Sequence, residues 1–444
     1  MSPTPIQRLR GFKDTFGDES LLITQIEKVA RETFGLFDFE EIRLPILEEK
    51  TLFSRALGTE TDVVQKEMYE FQDRSDVWVA LRPEGTASVV RAYLENKIDK
   101  INGQAKYFYL GPMFRSERPQ AGRLRQFHQI GVEQLGFSSP HSDAETILCL
   151  TTFLTKLGIT GFRVKLNNLG TVEDRNVLRE RLASTFKNRL DEFCIDCKKR
   201  YDKNVFRLLD CKVQECRAAV RRTDWIETGK PLLGPDVSKE SYDHFEAVCT
   251  SLKTVNCAFE IDPFMVRGLD YYTKTVFEVT HPNLGSQDAL AAGGRYDNLI
   301  ETFGGQAAGA VGFAIGIERL ILSTPFTREA KTRPIFIATL GEEAFRLGFV
   351  ILNAIRRLGI PSIMETRVRS LKSQLRAAEK QGIRYVVLLG EEEIAKKIFV
   401  LKDMQATTEE TRQIEYDLDS LMERFLELYR TEYTPDQSRL DFNA

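Results

Sequence analysis

The sequence predicts an α+β main domain built on a sheet, interrupted by a helical insertion and followed by an α/β domain. Strand-like runs dominate the main domain on both sides of a charged segment whose apolar residues follow helical spacing. Near the C-terminus, strands instead alternate with amphipathic helices. We therefore expect a discontinuous domain over 1–169 and 256–325, an insertion over 170–255 and a third domain over 331–430.

The main domain is predicted to begin with a helix over 18–37, where apolar residues follow helical spacing, and a strand over 39–47. Residues 82–86, RPEGT, predict a turn that opens a helix, because proline and glutamate both suit a first helical turn. Two strand-like runs, which include 107–110 and 127–133, are joined by an arginine-rich loop. Further strands are predicted at 163–167, 259–266 and 275–279.

The insertion and the C-terminal domain have different patterns. Apolar residues at helical spacing over 178–193 and 242–252 predict two helices of the insertion. A polar stretch with two prolines, 323–334, marks the second boundary. Beyond it, the order strand, helix, strand, helix, strand, strand predicts a parallel or mixed sheet.

Composition favours an ordinary globular protein. The chain has 444 residues, 42% of them hydrophobic and 29% charged, and a net charge of -3. Contacts with a nucleic acid must therefore come from local basic patches. No apolar run approaches the ~20 residues of a membrane span, and the N-terminus lacks the apolar core of a signal peptide. The number of cysteines is odd, seven, and a long chain of cytosolic character gives no reason to pair them as disulfides. We expect a cytoplasmic protein without a membrane association.

The loop between the two strand-like runs carries the most informative chemistry. Several guanidinium groups around one volume suit a polyphosphate. A carboxylate and an aromatic ring beside them suit a purine. The alternative is a β-hairpin with a solvated basic loop. The residues concerned are Arg115, Glu117, Arg118, Arg123, Arg125 and Phe127.

These residues resemble motif 2 of the class II aminoacyl-tRNA synthetases, and specifically of the histidyl-tRNA synthetases. The segments 265–278, MVRGLDYYTKTVFE, and 292–297, AGGRYD, resemble signatures of that family. Residues 312–320 resemble motif 3, and 39–47, with Pro45, resemble motif 1. The resemblance implies a class II fold on a mostly antiparallel sheet, a C-terminal anticodon-binding domain and a homodimer. It also implies ATP, Mg²⁺, L-histidine and tRNA(His) as ligands.

The resemblance also implies roles in ATP binding. Arg115 would hold the α-phosphate and the amino acid carboxylate, and Arg123 and Arg319 would hold the outer phosphates. Glu117 would accept a hydrogen bond from adenine, with Phe127 and Arg319 on either side of the ring. In the family, the residue matching Arg267 points at the α-phosphate in place of a metal. An alternative for Arg267 is a buried ion pair with Asp270 or Glu278.

The histidine pocket implied by the resemblance is polar. An imidazole needs an acceptor for one ring nitrogen and a hydroxyl for the other, roles that match Glu133 and Tyr272. The remaining residues implied in histidine binding surround the α-amino group, the carboxylate or the cavity wall. They are Glu84, Gly85, Thr86, Arg115, Gln129, Arg267, Tyr271 and Tyr296. His128, beside Gln129, is predicted to be structural rather than a base.

Four cysteines of the insertion follow the spacing C-x2-C-x13-C-x4-C: Cys194, Cys197, Cys211 and Cys216. Four thiolates at these gaps suit a tetrahedral zinc site. The resemblance does not require zinc, so four reduced thiols in a helical segment are the alternative. The other three cysteines lie in apolar contexts that predict burial.

Three functions are consistent with parts of the sequence. The first is a histidine–tRNA ligase. The second is a catalytically inactive paralogue that regulates ATP phosphoribosyltransferase, although such paralogues usually lose the C-terminal domain and part of the arginine set. The third, a zinc-stabilised nucleic-acid-binding module, leaves every motif except the cysteines unexplained. The sequence favours the ligase.

Overall fold

The structure is a computed structural model. It describes residues 5–59, 61–120, 122–232, 237–266, 271–285, 288–324, 334–367, 369–408 and 412–432. The chain divides into two compact units, Met1–Phe326 and Thr327–Ala444. Among the described helices, none combines the length and the hydrophobicity needed to cross a membrane.

The first unit contains both strands and helices. Its described strands are β1 (Glu40–Glu41), β2 (Leu47–Glu49), β3 (Tyr69–Gln72), β4 (Trp78–Leu81), β5 (Ala105–Phe114), β6 (Gln126–Leu135), β7 (Arg163–Asn168), β8 (Glu260–Ile261), β9 (Thr273–Thr280), β10 (Ala289–Arg295) and β11 (Ala310–Gly316). Its described α-helices are α1 (Asp18–Leu36), α2 (Lys50–Leu57), α3 (Thr86–Glu95), α4 (Ile98–Ile101), α5 (Pro140–Lys156), α6 (Val172–Lys187), α7 (Ile195–Lys203), α8 (Gln214–Arg221), α9 (Lys239–Thr254), α10 (Leu299–Thr302) and α11 (Ile317–Ser323). Short 3₁₀ and π segments lie at Val63–Glu67, Leu190–Glu192, Val205–Leu208 and Pro282–Leu284.

Within the described residues, eight of these strands form one sheet in the order β1-β5-β6-β11-β10-β9-β7-β8. The five inner pairings are antiparallel, and the two outermost pairings, β1 with β5 and β7 with β8, are parallel. A small antiparallel sheet, β2-β4-β3, lies apart from it. The sheet joins strands from before and after the segment 170–255.

The two faces of the large sheet have different roles because side chains alternate along a strand. On β6, Ile130 and Val132 enter a core that also contains Phe34 of α1 and Phe153 of α5. Gln129, Gly131 and Glu133 lie between them in sequence and face the opposite side. There, α2 and α3 supply a second core. Polar residues of the sheet are therefore concentrated on one face.

The described residues of the segment 170–255 are mostly helical, as predicted, and comprise α6 to α9 with two short 3₁₀ turns. α6 begins with a capping box, in which Thr171 and Asp174 bind each other's backbone amides. The core of the insertion contains Leu182 and Phe186 together with Tyr272 and Val276 from the sheet side. Packing therefore connects the insertion to the polar face of the sheet.

The second unit is an α/β domain. Its described strands are β12 (Ile335–Thr339), β13 (Ser362–Met364), β14 (Tyr385–Leu389), β15 (Ile398–Asp403) and β16 (Gln413–Asp417). Its described α-helices are α12 (Glu342–Arg357), α13 (Leu371–Lys380), α14 (Glu391–Ala395) and α15 (Leu421–Glu432). A 3₁₀ turn lies at Leu418–Ser420. The described strands form a mixed sheet in the order β13-β12-β14-β15-β16, parallel at the first two pairings and antiparallel at the last two.

Two predicted strands were largely wrong. Residues 39–47 form β1 and only the first residue of β2, because Arg82 donates to the carbonyls of Leu44 and Pro45 where a ladder would run. Residues 259–266 contain only the two-residue β8, after which the Asn167 amide donates to the carbonyls of Pro263 and Met265. In both places a buried side chain satisfies the backbone instead of a neighbouring strand.

Candidate active site

A cavity of about 420 Å³ opens on the polar face of the large sheet. Strands β6, β10 and β11 form its floor, and the loop that joins β5 to β6 lies along its side. It brings together nearly all the residues that the sequence predicted: Glu84, Thr86, Arg115, Glu117, Arg123, Phe127, Gln129, Glu133, Tyr271, Tyr272, Tyr296 and Arg319. Arg267, and Asp270 beside it, lie outside the described residues.

Glu133 is a buried carboxylate of this cavity, with 1% of its surface exposed. Its Oε1 accepts a hydrogen bond from the Thr86 hydroxyl at 2.6 Å, and its Oε2 accepts one from the Tyr296 hydroxyl. Burial raises the pKa of Glu133 to about 8. Two donors oppose that rise without cancelling it. An additional N–H donor in the cavity would stabilise the ionised form further.

Glu84 and Gly85 position the helix that supplies Thr86. Both oxygens of Glu84 accept from backbone amides, those of Thr86 at 2.6 Å and Ala87 at 3.0 Å, so this carboxylate caps α3. Burial raises the pKa of Glu84. A Cβ on Gly85 would lie 2.3 Å from the Tyr109 ring. Gly85 thus leaves room for the Tyr109 ring and does not line the cavity.

Three tyrosines form the wall next to Glu133. The ring centroids of Tyr271 and Tyr272 are 4.7 Å apart, and those of Tyr271 and Tyr296 are 5.7 Å apart. Burial raises the pKa of Tyr271 and of Tyr296 well above the ordinary range, so both hydroxyls keep their protons. The wall therefore offers O–H groups within an apolar setting, which suits a flat ligand with polar edges.

Arginines line the other part of the cavity. Arg115 Nε donates to the carbonyl of Pro83 at 2.9 Å, and its guanidinium lies 5.5 Å from the centre of the Phe127 ring. Arg123 binds Glu117 at 3.1 Å, and Arg319 donates to the carbonyl of Ala289. Burial, followed by the charge of Arg123, lowers the pKa of Arg319. Two cations that destabilise each other across a cavity favour an anion between them.

Two buried polar atoms in and beside the cavity lack partners in the described part of the chain. They are Oε1 of Gln129 and the hydroxyl of Tyr109. The Tyr109 ring lies against both Gly85 and Gly131, where a Cβ on either glycine would come within 2.3 Å of it. Leaving a buried polar group unpaired costs about 1–3 kcal/mol, and a polar ligand removes that cost. The sequence did not predict this position of Tyr109, because its pairing with Gly131 across β5 and β6 becomes visible only in the fold.

Other cavity residues come from segments without a recognised motif. Asp62 precedes the π-helical turn after α2 and Glu67 ends it, while Arg207 comes from the insertion and Glu318 from the start of α11. Burial raises the pKa of Glu67. Glu318 binds the backbone amide and Nδ1 of His128, each at 3.0 Å, and this contact raises the pKa of His128.

Two sequence-predicted features lie away from the cavity. Arg295, inside the AGGRYD segment, is fully buried and pairs with Asp143, while its neighbour Tyr296 faces the cavity. The four cysteines Cys194, Cys197, Cys211 and Cys216 form a separate cluster in the insertion.

Two family models match the chain. The model described as histidyl-tRNA synthetase matches residues 11–320, and the model described as anticodon binding domain matches residues 335–428. A protein from Thermodesulfovibrio yellowstonii, named histidine–tRNA ligase, is 43% identical over 426 residues, which are 96% of this chain and 99% of the relative.

Solved structures agree. The apo histidyl-tRNA synthetase of S. aureus has a TM-score of 0.76 and 31% identity, and the match covers 95% of this chain and 100% of that one. A Bacillus halodurans structure, described as an ATP phosphoribosyltransferase regulatory subunit/histidyl-tRNA synthetase, has a TM-score of 0.63 and 19% identity, covering 88% of this chain and 99% of that one. At that identity the second likeness concerns the fold alone.

The mostly antiparallel sheet, the cavity on its polar face and the C-terminal α/β unit define a class II aminoacyl-tRNA synthetase fold. Within that class, the chain belongs to the histidyl-tRNA synthetase family. The resemblance drawn from the motifs is thereby confirmed.

Proposed function

We propose that the chain is a histidine–tRNA ligase. In the first step, a carboxylate oxygen of L-histidine attacks the α-phosphorus of ATP, and pyrophosphate leaves. In the second step, a ribose 3′-hydroxyl at the end of tRNA(His) attacks the carbonyl carbon of histidyl-adenylate, and AMP leaves. Relatives named histidine–tRNA ligase, 43% and 42% identical over 96% and 94% of the chain, favour this function over the regulatory paralogue.

One observation carries the proposal: a buried carboxylate and a set of arginines share one cavity. Glu133 accepts an N–H of the imidazole ring, and the Tyr272 hydroxyl serves the other nitrogen. A side chain without ring N–H groups would leave Glu133 buried without its third donor, and such sites reject the wrong substrate strongly. Gln129 lines the same cavity, and its unpaired side-chain oxygen accepts from the α-amino group.

The arginines act on the phosphates of ATP. Arg115 binds the α-phosphate and the histidine carboxylate, which brings two mutually repelling anions into line. Arg123 and Arg319 hold the β- and γ-phosphates. The negative charge of these phosphates offsets the repulsion between the two guanidinium groups. Glu117 accepts from the adenine amino group, and Phe127 stacks on the ring. Arg267, by its place in the VRGLDYYT segment, stabilises the charge that develops at the α-phosphate.

The residues present also fit Mg²⁺. Glu67 and Glu318 line the cavity, and carboxylate oxygens beside phosphates are the ligands Mg²⁺ prefers. When bound, the ion neutralises negative charge on the phosphates of ATP. The side chains of the cavity align the substrates.

Recognition of tRNA(His) is assigned to the second unit together with the cavity, since the anticodon-binding family model matches residues 335–428. We also propose a homodimer formed through the motif 1 region. Ile46 and Leu47 expose 44% and 41% of their surface beside Pro45, and a second copy would bury them. The compartment proposed is the cytoplasm, where the seven cysteines, all described and all free, stay reduced.

The test is ATP–pyrophosphate exchange with each of the twenty amino acids, followed by charging of tRNA(His). We expect exchange with L-histidine, without tRNA, and with no other amino acid. Glu133→Gln should raise KM for histidine and relax selectivity, while the exposed Glu95→Gln should behave as the unmodified protein. Exchange that is absent with histidine but present with another amino acid would exclude the proposed specificity.

A further inference from the structure

The four cysteines of the insertion meet at one point. The sulfur atoms of Cys194, Cys197, Cys211 and Cys216 all lie within 4.8 Å of one another. Those of Cys194 and Cys211 are 4.0 Å apart. Three of the four residues are buried and Cys194 is half-buried. The sequence is consistent with either a zinc site or four reduced thiols. The distances between the sulfur atoms help to decide between these two alternatives.

The spacing of the sulfurs fits a single tetrahedral ion. Four thiolates around one zinc at about 2.3 Å place their sulfurs about 3.8 Å apart, slightly closer than the sulfurs of the free thiols here. An iron–sulfur cluster is larger than one ion, so it would hold four sulfurs farther apart than 4.8 Å. The protein would supply all four ligands, which is typical of a structural rather than a catalytic zinc site.

Local backbone structure favours thiolates at this point. Cys194 is the N-cap of α7 and Cys197 lies in its first turn, while Cys211 precedes α8 and Cys216 lies near its start. Two helix N-termini therefore converge on the sulfurs, and their partial positive charge stabilises negative ligands. The amide of Cys194 also donates to the sulfur of Cys216 at 3.1 Å.

The other cysteines provide an internal comparison. Cys149 and Cys249 are buried in the apolar core of the main sheet, and Cys257 packs against the same core. They behave as small hydrophobic residues. Among the seven cysteines, all of them described, the pairs at C-x2-C and C-x4-C spacing come together, although thirteen residues separate the first pair from the second.

We propose that Cys194, Cys197, Cys211 and Cys216 bind one structural zinc ion that closes the insertion. The segment between the two pairs contains Arg207, which reaches the cavity of the sheet beside Asp62. By joining both ends of that segment, the ion fixes the part of the insertion that meets the substrate cavity. The proposal concerns the fold of the insertion and does not depend on the ligase function.

The test measures metal in the full-length chain after expression with added zinc. We expect about one zinc per chain by elemental analysis, with release on mercurial titration of the thiols. Grown or refolded with Co²⁺, the chain should show the strong sulfur-to-cobalt charge-transfer absorption and the visible bands of a tetrahedral tetrathiolate site.

Cys211→Ala should lose the bound metal and the cobalt spectrum, whereas Cys249→Ala, an equally buried cysteine, should keep both. A chelator should lower the melting temperature of the unmodified chain and not that of a folded Cys211→Ala variant. The cobalt spectrum needs only the unmodified chain, so the test stands even if a variant fails to fold. A chain that contains no zinc and gives no thiolate–cobalt absorption would overturn the proposal, and stoichiometric iron would overturn the identity of the metal.

Discussion

At the scale of single residues, the cavity combines buried carboxylates with half-buried arginines. Glu133 keeps two hydroxyl donors, and Arg123 and Arg319 face the same space. Arg295 shows the contrast, because it lies in a signature segment yet is satisfied by Asp143 and by backbone carbonyls. A residue of a family signature can therefore reach the cavity only if its position on the strand directs its side chain to the polar face of the sheet.

The raised pKa of Glu133 predicts a pH-dependent stability. Its folded pKa is about 8, whereas an exposed glutamate titrates near about 4.3. Between those values the folded chain holds a proton that the unfolded chain releases, so the free energy of unfolding falls as pH rises. Glu133→Gln lacks this contribution. The stability of the variant relative to the unmodified chain should rise by up to about 1.4 kcal/mol per pH unit across that window.

Denaturant titrations of both ligand-free proteins at pH 5 to 9 would check this difference. It should rise from about pH 5 and level off above about pH 8, as expected from the two pKa values of the glutamate. A difference that stays constant across the range would show that Glu133 is ionised in the folded chain.

Arg267 remains a prediction from the sequence. If it stabilises charge at the α-phosphate, Arg267→Ala should lower the rate of adenylate formation by about 10²–10³ with a smaller effect on binding. Lysine keeps the charge but not the planar fork, so Arg267→Lys should recover part of the rate. Single-turnover adenylation and a melting curve separate catalysis from folding. A stable alanine variant with a near-normal rate would remove the catalytic role.

At the scale of elements, alternation along strands decides which residues reach the site. On β11, Phe313 and Ile315 enter the core, while Gly312 and Gly316 line the cavity. Gly312 pairs with Glu133 across the two strands. A Cβ on Gly312 would lie 1.9 Å from Glu133 Oε2 and 2.3 Å from the carbonyl of Val132. Because Gly312 has no side chain, the Glu133 carboxylate can occupy this position.

Gly312→Ala should therefore displace Glu133. We expect a higher KM for histidine and a loss of about 1–3 kcal/mol of stability, as in other overpacked sites. Gly316→Ala is a steric control on the same strand, because its nearest neighbouring atoms lie 3.9 Å away, and its melting temperature should change little. Equal destabilisation by both substitutions would mean that the strand rejects any side chain and that Glu133 is not specifically affected.

Local patterns predicted elements well where neighbouring residues in sequence supply the bonds. The first helix, predicted over 18–37, is Asp18–Leu36, and RPEGT opens α3 with Glu84 as its cap. The sequence could not show that Arg82 and Asn167 would bind backbone far along the chain and end two predicted strands. Motif likeness, rather than periodicity, indicated most cavity residues. Those without a motif, such as Asp62 and Arg207, become visible only when the fold brings them together.

At the scale of the whole molecule, the chain combines two compact units with different sheets. The first carries the cavity on a mostly antiparallel sheet, and the second is a mixed α/β domain with its own core. The described residues that line the cavity proposed for ATP and histidine all belong to the first unit. The second step also needs tRNA, whose recognition extends over more protein surface.

Removing the chain from Pro334 onward should therefore separate the two steps. We expect the shortened chain to keep most of its histidine-dependent exchange, because the described cavity residues all precede that point. Charging of tRNA(His) should fall severely, because the unit that matches the anticodon-binding model is gone. The measurement compares exchange and charging rates in the same preparation, with a melting curve to confirm folding. If a folded, shortened chain lost exchange to the same degree as charging, the second unit would have to contribute to the adenylation site itself.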